Sequence, residues 1–225
     1  MQVIMDKFIN ALKWPLAVYM LICLPACFEA FSYFQYTQLR YVALIAGFFL
    51  FFISRSMMDA AVKVNMEIVA HELTHAVFAL ITFHKVNGLK IEGDNSGGSM
   101  SFEGEGNWLI VIAPYFFPLF ASIYMVVVSF LNPSYSTGLI LSGVLGYFIG
   151  YHLDTVGSQI HEKQTDLPKV GYKFCAMFLP SANLLVVGAM LAFNSKGWDG
   201  IVTYWRLINY LNWKNFEYVI NFIGI

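Results

Sequence analysis

The sequence predicts an all-α polytopic membrane protein with about six transmembrane helices and a short β-hairpin inserted between the third and the fourth. Of its 225 residues, 58% are hydrophobic and only 12% are charged, and the mean hydropathy is +0.62. Soluble domains carry about 25% charged residues, so this composition is typical of a protein embedded in lipid. The net charge of −1 offers no basic surface for nucleic acid, which we do not expect as a partner.

Apolar stretches that approach the length needed to cross a bilayer, about 20 residues, recur along the chain. The fourth contains two prolines, which free backbone groups that must be satisfied inside the protein. Aromatic residues interleaved with Asn, Lys and Arg follow the sixth stretch, a composition typical of a membrane interface. A seventh span is the alternative for this tail, against which the recurring polar residues count. We place the spans at roughly 14–33, 41–53 (extendable to 58), 64–83, 108–131, 137–157 and 172–193. The chain then divides into an N-terminal two-span region (1–59), a membrane core (60–195) and an interfacial tail (196–225).

A glycine-rich polar stretch separates the third and fourth predicted spans. Residues 90–92 and 99–103 alternate in polarity, and Asp94-Asn95-Ser96-Gly97-Gly98 between them is a typical turn sequence. This pattern predicts a β-hairpin, and an ordinary exposed loop is the alternative.

The third predicted span contains the His-Glu-x-x-His motif His71-Glu72-Leu73-Thr74-His75. Residues four apart share a helix face, so both imidazoles can bind one ion. Zinc suits this pair, because imidazole nitrogens ligate it at about 2.0–2.1 Å and a third protein ligand leaves one position for water. Glu72 can take a proton from such water, whose pKa zinc lowers to about 7. A polar pair hydrogen-bonded to neighbouring helices is the alternative interpretation.

This motif within an apolar span, followed by the glycine-rich stretch and further spans, resembles the site-2 protease type of intramembrane zinc metalloproteases. The resemblance covers roughly residues 60–195 and is most specific at His71, Glu72 and His75. It implies a membrane-anchored protein substrate, to which the β-element adds a strand. It also implies that the hairpin and the active-site mouth face the cytosol, which would put both termini on the other side. The expected location is the bacterial cytoplasmic (inner) membrane.

The third metal ligand is open among three residues at or beyond the end of the fifth span. Asp166 looks like the distal Asp motif that small members of the resembled family carry, and is our first choice. Asp154 is the second choice because of depth. His75 lies about 12 Å from the end of its span and Asp154 is similarly inset, whereas Asp166 would have to dip back toward the metal. His161 ranks below both, and a helix N-cap is the alternative role for Asp166.

The leading hypothesis is a multi-pass intramembrane zinc endopeptidase, with Glu72 as general base and then general acid. Gln164 and Asn183 are candidate donors to a tetrahedral oxyanion, although an interhelical bond is the commoner role of a membrane Asn. The alternative is a catalytically idle zinc-binding relative that acts as a partner-binding protein. The presence of Glu72 argues against it, because a structural zinc site needs no base. A transporter or channel is a third hypothesis, against which the lack of a repeated half counts.

Overall fold

The computed structural model describes residues 1–36, 38–91, 97–131, 134–161 and 164–223, which form a helical bundle with one two-stranded sheet. Short 3₁₀ turns follow α2 and α5. The elements in chain order are α1 (Gln2–Ala11), α2 (Lys13–Ala30), α3 (Leu39–Met57), α4 (Ala60–Ile81), β1 (Val86–Ile91), β2 (Gly98–Phe102), α5 (Trp108–Ile112), α6 (Leu119–Ser129), α7 (Tyr135–Gln159), α8 (Asp166–Val170) and α9 (Tyr172–Ile223).

Within the described ranges, five helical segments are long and apolar enough to cross a membrane. A sixth span results if α5 and α6, which meet at an angle of 82°, count as one broken helix. The predicted all-α polytopic fold with about six spans is therefore confirmed. The five segments are Lys13–Tyr33, Leu39–Met57, Ala60–Ile81, Tyr135–Gln159 and Tyr172–Phe222.

Helices α3 and α7 lie side by side and run in the same direction. Arg40 approaches Gly138 near the start of both helices, and Nε of Arg55 donates to Asp154 over 2.7 Å near their ends. The two backbones touch between these points, since a Cβ added to Gly47 would lie 1.8 Å from the carbonyl oxygen of residue 143. Small residues permit this close approach of membrane helices.

Helix α2 runs parallel to the first part of α9. The rings of Trp14 and Phe174 are 6.1 Å apart near the start of both helices, and Ser181 donates a hydrogen bond to the carbonyl of Met20 further along. Trp108 of α5 closes the cluster, with its ring 5.0 Å from that of Phe174. This apolar core joins α2, α5 and α9 at the end of the bundle where α9 begins.

Helix α9 folds back on itself at Lys196 and Gly197, whose backbone angles are not helical. A Cβ on Gly200 would lie 2.1 Å from the carbonyl oxygen of Ala192, so the part after the break packs against the part before it. Ile208, in the returning part, is fully buried in a cluster with α2. The interfacial location of this tail stays a prediction, and its packing along α2 favours a course through the bundle instead.

Helix α4 connects the end of α3 to a segment that contacts α1. It follows α3 after two residues, and at its far end Nε2 of His84 donates to Asp6 of α1 over 3.1 Å. Both α1 and the end of α3 lie where α7 finishes and α9 begins. The sides of the membrane on which the hairpin and the termini lie stay a prediction, although α1 contacts the residues that flank the hairpin.

Strands β1 and β2 form the predicted hairpin, which is confirmed. They are antiparallel, Lys90 pairs with Ser99, and a bulge interrupts the register between Val86 and Gly88. The first strand begins four residues earlier than predicted, and predicted turn residues 94–96 lie outside the described ranges. The sheet packs against α4, the helix that carries the His-Glu-x-x-His motif.

Candidate metal centre and active site

Helix α4 presents the motif on a face turned into the protein. The helix begins at Asp59, whose side chain accepts a hydrogen bond from the backbone of Ala61 over 2.8 Å as an N-cap. His71, Glu72 and His75 are 8%, 9% and 8% exposed, respectively. The four-residue spacing stacks the two imidazoles on one side, as the sequence predicts.

Three ligand atoms converge in front of this face. The Nε2 atoms of His71 and His75 are 3.0 Å apart, and Oδ2 of Asp166 lies 3.3 and 3.2 Å from them. Ligands about 2.0–2.1 Å from a tetrahedral ion are about 3.3 Å from one another, so the spacing fits zinc. Within the described ranges, these residues form a group able to hold a metal ion.

The outer nitrogens of both imidazoles face acceptors. Nδ1 of His71 lies 3.0 Å from Oε1 of Gln159, and Nδ1 of His75 lies 2.7 Å from the carbonyl oxygen of Ile110. Oxygens of this kind only accept, so each Nδ1 carries a proton and each ring turns its Nε2 atom inward. Two Nε2 atoms and a carboxylate then face each other, an arrangement suited to holding a cation.

The carbonyl that orients His75 is available because the fourth span is broken. Pro114 has no N–H, so the carbonyl of Ile110, four residues earlier, has no helical donor. The chain leaves α5 through a 3₁₀ turn and resumes as α6 after Pro118. The predicted break at the two prolines thus supplies a hydrogen-bond acceptor to the site.

Asp166 is the first residue of α8, and its two carboxylate oxygens have different neighbours. Oδ2 faces the imidazoles, while Oδ1 accepts a hydrogen bond from Nζ of Lys169 over 3.0 Å. Burial alone would raise the pKa of Asp166, but the contacts with His71, His75 and Lys169 hold that pKa well below its usual range. Its side chain caps no helix, because Thr165 occupies the N-cap position.

The competing ligand candidates are not part of the group formed by His71, His75 and Asp166. Asp154 accepts a hydrogen bond from Arg55, which also pairs with Glu67, so its carboxylate is held away from the imidazoles. His161 lines the same cavity as the motif but is not part of the three-residue group. The assignment of Asp166 as a ligand stays a prediction, now supported by its position.

The two candidate oxyanion donors have separate surroundings. Gln164 lines the cavity, and its Oε1 lies 3.3 Å from the hydroxyl of Tyr115. Asn183 donates to the carbonyls of Tyr115 and Leu179 over 3.0 and 2.9 Å. Its amide therefore ties the broken span to α9, the interhelical role that a membrane Asn commonly has.

Glu72 lies against the start of strand β2. A Cβ added to Gly98 would be 2.8 Å from Cγ of Glu72 and 2.6 Å from Cγ2 of Ile68, so only glycine fits there. Sequence reasoning assigned Gly98 to the turn and missed this contact, and it also missed Gln159. Neither residue belongs to a local motif that could have indicated its role.

A cavity of about 510 Å³ joins the metal group, Glu72 and the hairpin. Strand β2 supplies part of the cavity wall, whereas the described residues of β1 supply none. The edge of β2 that is not paired with β1 therefore faces the cavity. Its wall includes Glu67, Ile68, His71, Glu72, His75, Gly97, Gly98, Ser99, Met100, Phe102, Gln159, Gln164 and Asp166.

Comparison with known proteins agrees with this geometry. The family model described as Peptidase M50B-like matches residues 41–150, a range that includes the motif, the hairpin and the broken span. The match ends before Gln159 and Asp166. No curated protein and no solved structure matches the chain. The resemblance predicted from the motif is confirmed at the level of the family.

Proposed function

We propose that this chain, of which residues 41–150 match the Peptidase M50B-like family model, is an intramembrane zinc metalloprotease that hydrolyses a peptide bond in a membrane-anchored protein. One observation carries the proposal. Two inward-facing imidazole nitrogens, a charged carboxylate and an acid without a partner line one cavity beside an unpaired strand edge. Each of these groups has a function in metal-assisted hydrolysis.

His71, His75 and Asp166 would hold the zinc, which in such a site polarises a carbonyl and lowers the pKa of water. Gln159 and the carbonyl of Ile110 keep the two rings in the required orientation and tautomer. This support matters because partners of this kind typically change metal affinity by about 10–100-fold when removed.

Glu72 is the residue that moves the proton. Its carboxylate lines the cavity, and within the described ranges it makes no hydrogen bond or ion pair. A carboxylate that faces the cavity and is not held by a protein donor is in the position that a general acid or base needs. As general base it accepts a proton from the attacking water, and as general acid it delivers that proton to the leaving amine.

Strand β2 supports the substrate part of the proposal. Its unpaired edge offers backbone donors and acceptors to an extended peptide, and Ser99, Met100 and Phe102 line the cavity. A transmembrane helix satisfies its own backbone groups and must unwind before it can pair in this way. The proposal therefore includes a locally extended substrate segment.

The test compares Glu72→Gln with a His71→Ala/His75→Ala double variant. Glu72→Gln should keep about one zinc per chain, while release of a fragment from a membrane-anchored reporter falls by about 10²–10⁴-fold. The double variant should lose both zinc and cleavage. Undiminished cleavage by Glu72→Gln would exclude the protease mechanism, and full zinc content in the double variant would exclude the metal site.

A further inference from the structure

Helix α1 turns one acidic residue into the protein. Asp6 is only 8% exposed, whereas its neighbours Ile4, Lys7 and Phe8 are exposed. A buried carboxylate is stable only when hydrogen-bond donors compensate for its lost hydration. The donors to Asp6 therefore indicate what α1 is attached to.

The carboxylate of Asp6 joins the two roots of the hairpin. Oδ2 accepts a hydrogen bond over 3.1 Å from Nε2 of His84, a residue that lies two positions before β1 begins. Oδ1 accepts from Nδ2 of Asn107 over 2.7 Å, five residues after β2 finishes. One side chain from α1 thus holds the segments that enter and leave the sheet.

The Asn107 arm continues to a metal-facing residue. Oδ1 of Asn107 accepts a hydrogen bond from the backbone N–H of Ile110 over 3.2 Å and caps α5. The carbonyl of the same Ile110 accepts the Nδ1 proton of His75 over 2.7 Å. Asp6 is therefore connected to His75 through two intervening residues, without a gap in the hydrogen bonding.

The His84 arm leads to the cavity wall. The side chain of His84 is fully buried, and its Nδ1 lies 3.0 Å from the hydroxyl of Thr82. Its ring meets the ring of Phe102 edge to face, with centroids 5.0 Å apart. Phe102 is the last residue of β2 and lines the cavity, so a shift of His84 moves the strand that we propose pairs with substrate.

We propose that Asp6 is a positioning residue for the active site. Docking of α1 through this carboxylate sets the orientation of His75 by one arm and the position of strand β2 by the other. This inference rests on the proposed metal site and deepens it. Helix α1 lies outside residues 41–150, which match the family model, and the inference makes this helix part of the catalytic unit.

Other contacts keep α1 in place when Asp6 is changed. Nε1 of Trp108 donates to the carbonyl of Ile9 over 2.6 Å, and Nε2 of Gln2 donates to the carbonyl of Glu103 over 2.7 Å. An Asp6→Asn variant should therefore fold with α1 still attached. The Asn amide has one acceptor oxygen, where the Asp6 carboxylate has two. Either His84 or Asn107 therefore loses its acceptor and faces an N–H donor instead.

The experiment measures zinc affinity by chelator competition and hydrogen exchange of the hairpin amides, neither of which requires cleavage. Asp6→Asn should weaken zinc binding by about tenfold or more, the typical effect of losing a partner behind a metal-ligating imidazole. It should also speed exchange in β1 and β2. Lys7→Gln, at an exposed neighbouring position, is the matched control and should change neither quantity.

A second variant isolates the arm to His75. Asn107→Asp keeps the oxygen that caps Ile110 but loses the donor to Asp6, so it should also weaken zinc binding by about tenfold. Wild-type zinc affinity and hairpin exchange in Asp6→Asn, or wild-type affinity in Asn107→Asp, would overturn the inference. Zinc binding that is absent from the unchanged protein would instead refute the proposed function.

Discussion

Gly98 is where adding one carbon should interfere with the proposed general base. In Gly98→Ala the new Cβ would lie 2.6 Å from Cγ2 of Ile68 and 2.8 Å from Cγ of Glu72, where ordinary contact begins at 3.4 Å. Strand β2 or the Glu72 side chain must therefore move by roughly 0.6–0.8 Å. A misplacement of about 1 Å at a reacting group can cost about 100-fold in rate. We expect cleavage of a membrane-anchored reporter to fall by about 10–100-fold.

The same hairpin offers a matched control for this prediction. A Cβ on Gly88 of β1 would lie 3.8 Å from Oγ of Ser101, an ordinary contact, so Gly88→Ala should keep wild-type cleavage. Zinc content should be normal in both variants, because the residues that would hold the metal lie outside the clash. Full cleavage by Gly98→Ala, or an equal loss in Gly88→Ala, would refute the reasoning.

Two further predictions concern the third ligand and the direction of the chain. Asp166→Asn should lose zinc, whereas Asp154→Asn should keep it because that carboxylate pairs with Arg55; metal analysis decides, and zinc loss in Asp154→Asn alone would reverse the assignment. Single cysteines at Lys7 and Asn87 should react with an impermeant thiol reagent from one side of the membrane, and a cysteine at Ser136 from the other. Labelling of the first two from opposite sides would contradict the position of α1 beside the residues that flank the hairpin.

Sequence reasoning worked where the signal is local. The four-residue spacing of His71 and His75 places both rings on one face of α4, and the break at Pro114 follows from its missing N–H. The hairpin was predicted from alternation around a glycine-rich turn, and its strands end within a few residues of the expected limits. Each of these features depends on neighbours in the chain.

The weak part of the prediction for the third metal ligand was the argument from the depth of each candidate in the membrane. It assumed that α4 descends from one end of the bundle to the other, so that distance along the helix measured depth. Helix α7 finishes at Gln159, whose side chain is in contact with His71. The segment that leads to Asp166 therefore starts beside the metal group and has no need to dip back.

Asp6 and Gln159 were beyond sequence reasoning for a different reason. An acid in a short amphipathic helix is normally read as part of a solvated face, and a Gln near the end of a span has no characteristic spacing. Their roles come from donors and acceptors that lie 78 and 88 residues away in the chain. Only the packed bundle brings those groups together.

The acids around the cavity differ in what balances their charge. Arg55 joins Glu67 of α4 to Asp154 of α7, which compensates two carboxylates within the bundle. Asp166 faces two imidazoles and also accepts a hydrogen bond from a lysine. Glu72 has no such partner among the described residues, although it lies on the same helix as Glu67. Because the other acids among the described residues of this cavity wall are each balanced by a fixed neighbour, Glu72 is the carboxylate that best fits the proposed role of general base.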